Sequence, residues 1–252
     1  MICADKQLLR ADTAMGAAYA GALKATDDSD IRATLVASQK RWLAARDQQL
    51  GHLNEGEDPP DEPKWRGIVL KAMQDRTRNL LPSASGDPKL PRLIATPLAQ
   101  RRFAARFTGG PFAGFDTTCD FLPGGDSYTY GCFATQRYQN DDRVCSLTVD
   151  WASGSVSETR TVSRVVDGTL RTLATCSIGG DGPICPDSPS EPPGEWKRQS
   201  AAAAETEKPP AQPLPHLDAD VWVGDQEAWL PACLTDPGYP QADPKAGNTA
   251  KQ

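Results

Sequence analysis

Apolar positions recur at three- and four-residue steps through the first third of the chain, which is the spacing of amphipathic helices. The first helical face carries Leu8, Met15, Tyr19 and Leu23. A second such pattern runs from about residue 30 to 50, and a third runs from about 65 to 81, where Pro82 ends it. The short polar stretch at 26–30 favours a turn and can cap the following helix. The pattern predicts an antiparallel helical hairpin followed by a third helix.

The pattern changes to strands beyond about residue 118. Thr, Val, Tyr and Cys become frequent, and turn signals separate the runs. Asp167-Gly168 predicts a two-residue hairpin, because a type I′ turn needs positive φ at both central positions. We expect a small antiparallel sheet of about four strands and an α+β fold overall. The predicted strands are Ser127–Tyr138, Arg143–Trp151, Glu158–Val166 and Thr169–Ser177.

These changes in pattern predict five regions. An all-α module at 2–81 is followed by a transitional stretch at 82–117, in which 100–107 is a candidate short helix. A β-rich, disulfide-bonded domain at 118–178 leads to a Pro/Ala-rich linker at 179–215 and a C-terminal extension at 216–252. We expect 217–233 to fold back onto the body and the end of the extension to be disordered.

Composition narrows the function classes. The net charge of -6 and the sequence pI of about 5.0 argue against a nucleic-acid partner, because phosphates need a stripe of Lys and Arg. There is no run of about 18 apolar residues, so no membrane span is predicted. Residues 1–5 lack the apolar core of a signal peptide, so for an exported protein we expect the sequence to be the mature form, and the alternative is that Cys3 is a lipid-anchor cysteine.

The cysteines suggest disulfides rather than metal. The chain has seven cysteines, no C-x-x-C pair and only two histidines, so we expect no zinc site and no cofactor. Their wide spacing is typical of disulfides in an oxidising compartment, with free buried thiols as the alternative. Connectivity stays open among 15 pairings, with Cys233 to Cys185 as one candidate bond. The disulfide candidates are Cys119, Cys132, Cys145, Cys176, Cys185 and Cys233.

No catalytic motif is visible. The chain contains no G-x-S-x-G, no H-E-x-x-H and no phosphate-binding Gly-rich loop. The Gly-rich stretches at 124–127 and 179–182 are typical of turns. We therefore expect a binding protein and not an enzyme.

Three features stand out in the first third of the chain: the opening Ile2-Cys3-Ala4-Asp5, the Q-x-x-W-L-x-x-R-D motif at 39–47, and a third helix with Met73, Arg76 and Leu80. Together they resemble the N-terminal domain of the LprI-type lysozyme inhibitor family over about residues 2–81. The resemblance implies a periplasmic or cell-envelope protein that blocks a lysozyme-like peptidoglycan hydrolase. Family members typically have a cysteine shortly after the Arg-Asp pair. Here residues 48–51 contain none, so Cys3 lacks its usual partner and is free, pairs with a later cysteine, or pairs between chains.

The motif residues have a physical role of their own. Trp42 is suited to fill the hairpin core, and Gln39 and Arg46 lie one turn on either side of it, within reach of Asp12 or of backbone groups. We interpret these residues mainly as determinants of the fold. The set comprises Asp12, Tyr19, Gln39, Trp42, Arg46, Asp47 and Arg76.

An acidic, proline-rich stretch between the second and third helices is the candidate partner-binding segment. A negatively charged loop can be steered to a basic hydrolase surface and can enter its cleft. The alternative is a solvated connection without function. The acidic residues are Glu55, Glu57, Asp58, Asp61 and Glu62.

Two other functions stay open. One is an immunity protein that neutralises a cell-wall toxin delivered into the periplasm, with contacts from the β-rich region. The other is a non-inhibitory envelope scaffold, in which the helical module presents a face to a protein partner.

Overall fold

The computed structural model describes residues 5–51, 62–82, 90–124, 127–152, 155–179, 185, 196–200, 206–222 and 229–240. Cys3 and the end of the C-terminal extension, 241–252, therefore lie outside the described residues. The chain divides into two units. The first contains Met1–Gln100, Thr117–Cys132 and Leu217–Trp222, and the second contains Arg101–Asp116, Phe133–His216 and Val223–Gln252.

The first unit begins with three helices, as predicted. Helix α1 spans Lys6–Lys24, and the Asp5 side chain caps it by accepting from the amides of Gln7 and Leu8. Helix α2 spans Ser29–Ala45 and is capped by Asp28 in the predicted turn. It continues as a π-helical turn over Arg46–Leu50. Helix α3 spans Glu62–Leu80, three residues longer at its start than the sequence pattern predicted.

The apolar faces of these helices form one core. Trp42 is 1 % exposed and packs edge-on against Phe121, with ring centroids 6.0 Å apart. Met15, Leu35 and Met73 belong to the same core, one from each helix. The helical periodicity of the sequence thus corresponds to buried positions on all three helices.

The stretch predicted as transitional contains a fourth helix. Helix α4 spans Arg92–Ala104, although Pro97 removes one backbone donor inside it. It begins eight residues before the predicted short helix at 100–107 and ends three residues earlier. Leu93 and Ile94 bury their side chains in the core of the first unit.

A β-sheet follows the helices. Strand β1 spans Gly114–Gly124, β2 Ser127–Asn140, β3 Arg143–Ala152, β4 Ser155–Val166 and β5 Thr169–Ile178. From β2 to β5 each strand pairs antiparallel with the next. The four predicted strands are therefore confirmed. Strand β1, which the sequence pattern did not reveal, lies next to β2.

Strands β3, β4 and β5 belong to the second unit and pair with one another in a defined register. Cys145 faces Val162 across β3 and β4, and Val166 faces Thr169 across the β4–β5 hairpin. Asp167 and Gly168 in that hairpin both have positive φ, 50° and 73°, which confirms the predicted turn.

Short elements complete the second unit. Strand β6 spans Lys197–Arg198 and β7 spans Thr206–Glu207, and both pair with β5. Helix α5 spans Trp229–Thr235, with Trp229 and Leu230 buried. Most of the predicted linker at 179–215 lies outside the described residues, so the predicted region boundaries stay predictions.

All six disulfide candidates are bonded, but Cys233 does not pair with Cys185. Cys145 bonds Cys233, across 88 residues of sequence, and ties α5 to β3. Cys185 instead bonds Cys176, nine residues away. The candidate bond between Cys233 and Cys185 is therefore not formed. The third disulfide joins Cys119 to Cys132 in the first unit.

We expect the Cys145–Cys233 bond to stabilise the fold more than the Cys176–Cys185 bond, because it closes a loop of 88 residues rather than nine. Chain-entropy estimates give about 4.5 kcal/mol for the long loop and about 2.5 kcal/mol for the short one. Urea unfolding of the two paired Cys→Ser variants measures the difference. A larger loss from removing the short bond would contradict this ranking.

Trp42→Ala should lower the free energy of unfolding by about 3–5 kcal/mol, because it leaves a large cavity in a closed core. The matched control is Trp222→Ala, since Trp222 is 58 % exposed and its removal should change stability by about 0.5 kcal/mol or less. Chemical denaturation followed by circular dichroism measures both. Equal losses would show that Trp42 does not fill the core in solution.

Candidate functional site

A buried cluster of charged and polar side chains lies inside the first unit. Helix α2 contributes Ser38, Gln39 and Arg41, and helix α3 contributes Arg76. The opposing charges come from Asp218 and Asp220, almost 180 residues further along the chain. We call these six residues the ion-pair cluster.

Each carboxylate in the cluster has an arginine partner. One nitrogen of Arg41, Nη2, lies 2.8 Å from Asp218 Oδ1 and 2.8 Å from Asp220 Oδ2. Arg76 Nη1 lies 3.2 Å from Asp220 Oδ1. Two arginines thus neutralise two aspartates.

Neutral side chains also accept hydrogen bonds from Arg76. Its Nε donates to Gln39 Oε1 at 3.0 Å, and its Nη2 donates to Ser38 Oγ at 2.7 Å. Ser38 in turn donates its hydroxyl proton to Asp220 Oδ1 at 2.8 Å. These hydrogen bonds therefore hold the Arg76 guanidinium in one orientation, in addition to the charge balance that Asp220 provides.

Burial controls the electrostatics of the cluster. The side chains of Arg76, Asp218 and Asp220 are only 2–3 % exposed. Burial raises the pKa of the Asp218 carboxyl, although Arg41 opposes this shift. Burial also opposes the charge of Arg41, but the two carboxylates outweigh it, so the pKa of Arg41 is raised.

Tyr130 on β2 lies in the field of the same charges. Burial, reinforced by the negative charge of Asp220, raises the pKa of its phenol well above the usual range. Tyr130 is thus neutral near pH 7. This neutral side chain adds no charge to a cluster that is already balanced.

Gln100 in α4 holds the backbone that carries the two aspartates. Its Nε2 donates to the carbonyl oxygens of Asp218 and Val221 at 2.8 and 2.6 Å, and its Oε1 accepts from the Asp218 amide at 2.7 Å. Gln100 is fully buried. A single side chain therefore binds three main-chain groups of one short segment.

The predicted motif residues fall into two groups. Gln39 and Arg76 belong to the ion-pair cluster, and Trp42 lies in the core beside it. Arg46 lies at the end of α2, where it contacts Asp12 at 3.3 Å and Asp47 at 2.7 Å. Its guanidinium also lies 5.5 Å from the centre of the Trp42 ring. Tyr19 is partly buried against the core.

The predicted acidic segment is described only at its end. Glu55, Glu57, Asp58 and Asp61 lie outside the described residues. Glu62 begins α3, with its side chain 79 % exposed, and pairs with Arg66 at 2.7 Å. Arg66 also contacts Asp5 at 2.6 Å, so Glu62 is linked through it to the start of α1.

The described residues contain one group of three side chains at metal-ligand spacing. The two sulfurs of Cys119 and Cys132 and a carboxylate oxygen of Asp220 lie within 4.8 Å of one another. Both sulfurs are consumed by the disulfide, and Asp220 is already paired with two arginines. The donor set therefore does not fit a metal ion.

Sequence reasoning identified Gln39 and Arg76 but missed the other four residues of the cluster. Asp218 and Asp220, and Gln100 that binds their backbone, lie outside the helical module that it singled out. One signal was present, since Leu217-Asp218-Ala219-Asp220-Val221 alternates apolar and acidic residues after a proline-rich stretch. Such alternation predicts an extended segment with two different faces. The segment instead bends at 219–221 and buries Ala219 and Val221 together with the aspartates, which the alternation does not indicate.

The first unit contains the segment that matches a known family. Residues 1–80 match the family model described as Lysozyme inhibitor LprI. The N-terminal module is similar to this family over those residues, and we call it the LprI module. The match covers 80 of the 252 residues and so describes this module alone. The chain has no match among curated proteins or solved structures.

The description of the matched family indicates the kind of partner on which its members act. LprI is an inhibitor family, so its members act on a protein partner. A match to an inhibitor family together with three disulfides is typical of extracytoplasmic proteins. Among the described residues, no helix is both long enough and apolar enough to cross a bilayer.

Replacing Arg76 by Met should destabilise the LprI module by about 3 kcal/mol, because it leaves Asp220 buried with less compensating charge. The matched control is Arg78→Met on the same helix, since Arg78 is 68 % exposed and its pair with Asp75 is worth about 0–1 kcal/mol. Urea unfolding of both variants provides the measurement. If Arg76→Met were as stable as the control, the cluster would not support the fold.

Proposed function

We propose that the protein is an exported binding protein that inhibits a lysozyme-like peptidoglycan hydrolase in the periplasm or cell envelope. The observation that carries the proposal is the LprI module at residues 1–80. Inhibition by binding needs neither a cofactor nor a catalytic residue.

The ion-pair cluster restricts where such a partner can bind. Gln39 and Arg76 are 7 % and 2 % exposed, and Trp42 is 1 % exposed, so these motif residues are not accessible to a hydrolase. They support the module from within. The contact must therefore involve exposed residues that the motif holds in place.

The acidic segment between α2 and α3 is the best candidate for that contact. The residues on either side of it are held together, because Trp65 Nε1 donates to the Leu50 carbonyl oxygen at 2.7 Å. Leu50 itself is fully buried. The described residues that flank the segment are thus held close together, which lowers the entropy that the segment loses on binding.

The negative charge of this segment favours a partner with a positively charged surface. Lysozyme-like hydrolases often have a strongly basic surface around a cleft, and five carboxylates within eight residues would steer such a surface toward the segment. Prolines 59, 60 and 63 restrict the backbone and reduce the ordering cost further. The protein's overall charge of -6 acts in the same direction.

Changing Glu55, Glu57, Asp58, Asp61 and Glu62 to the corresponding amides should weaken inhibition of a basic lysozyme by about tenfold or more. The measurement is the clearing rate of a peptidoglycan suspension against inhibitor concentration. Raising the ionic strength from about 0.05 to 0.5 M should weaken inhibition by the wild type until it approaches that of the variant, because salt screens the attraction between the acidic segment and the basic enzyme.

The matched control removes five exposed acids elsewhere and should inhibit like the wild type. It carries Asp→Asn changes at Asp27, Asp116, Asp141, Asp150 and Asp167. Equal weakening in both variants would indicate a general charge effect and would remove the segment as the contact. Failure of the wild type to inhibit a panel of lysozymes would overturn the proposed function. Inhibition of a delivered cell-wall toxin alone would favour the immunity function.

A further inference from the structure

We propose that the LprI module, completed by α4, forms a peptide-binding cleft for bent acidic segments of the form Asp-x-Asp, and that residues 217–222 of the same chain are its occupant. This inference does not depend on the identity of the inhibited enzyme. It rests on how completely the cleft recognises side chains, backbone and apolar positions of one short segment.

The first step is recognition of two carboxylates two residues apart. Arg41 contacts both Asp218 and Asp220 through one nitrogen, and Arg76 with Ser38 binds the far side of Asp220. The segment bends at 219–221, and the Asp218 carboxylate accepts the backbone N–H of Asp220 at 2.9 Å, so both carboxylates turn toward Arg41. The spacing of the two arginines on neighbouring helices therefore fits the Asp-x-Asp pattern.

The second step is recognition of the backbone. Gln100 binds the amide and carbonyl of Asp218 and the carbonyl of Val221, which are main-chain groups present in any peptide. A free inorganic anion offers no such groups. The cleft is thus suited to a peptide rather than to an isolated anion.

The third step concerns the positions between and after the acids. Ala219 is fully buried in the helical core and Val221 is 6 % exposed, while Trp222 emerges at 58 % exposure. The cleft accordingly has a small apolar site between the two carboxylates and an aliphatic site after them. The cleft covers about four residues, and the next residue is exposed to solvent.

The last step is the charge of the cleft without its occupant. With the aspartates removed, Arg76 would keep only the neutral partners Gln39 and Ser38 within its hydrogen-bond set. A buried cation without a counter-charge is strongly disfavoured. The cleft therefore requires an acidic occupant, and that occupant comes from outside the 80 residues of the family match.

The test separates the cleft from its own segment in the full-length protein. A variant with Asp218→Asn and Asp220→Asn is titrated against a fluorescein-labelled peptide, Leu-Pro-His-Leu-Asp-Ala-Asp-Val-Trp, copied from 214–222. Fluorescence anisotropy should show that the peptide binds the variant. Its affinity for the wild type should be lower by at least about tenfold, because the tethered segment competes with the peptide at high effective concentration. The same peptide with both Asp residues replaced by Asn should bind the variant about tenfold more weakly or not at all.

A second variant controls for surface charge. Asp141→Asn with Asp150→Asn removes two exposed acids and should behave like the wild type. If the Asp218/Asp220 variant does not fold alone, the peptide should restore its thermal transition, and the Asn peptide should not. The proposal is overturned if the peptide neither binds nor stabilises this variant, or if it binds the wild type equally well.

Discussion

Arg76 lies in the middle of α3 with 2 % of its side chain exposed, and the first unit is organised around the need to neutralise it. A guanidinium is always charged near neutral pH, so its burial must be balanced by a negative charge and by hydrogen bonds to its remaining N–H groups. Asp220 supplies the charge, and Ser38 and Gln39 supply the acceptors. The position of the 217–222 segment follows from this requirement.

This constraint gives the family motif a physical meaning. Gln39 holds Arg76 and Trp42 fills the neighbouring core, while Arg46 closes the end of α2 against Asp12. The motif therefore determines how the helices assemble and is not itself available to a partner. A family can keep such a motif while its members differ in target, since target recognition depends on exposed residues elsewhere.

Sequence alone predicted the elements whose signals are local. Helices α1 to α3 follow from apolar periodicity, β2 to β5 follow from strand composition, and the Asp167-Gly168 turn follows from backbone preference. Pairing over long distances carried no such signal. The Cys145–Cys233 bond and the contacts of Asp218 and Asp220 depend on which distant residues meet, and hydrophobicity patterns do not encode that.

The buried aspartates also explain why a composition-based division of the chain is incomplete here. Leu217–Trp222 follows a proline-rich stretch and looks like part of an extension, yet its two charges are balanced by arginines on α2 and α3. A buried charge on one segment requires an opposite charge on another, whatever the sequence distance between them. In this protein the helical module is therefore electrostatically complete only together with residues far outside its own sequence, and studies of its binding activity should use the chain that contains them.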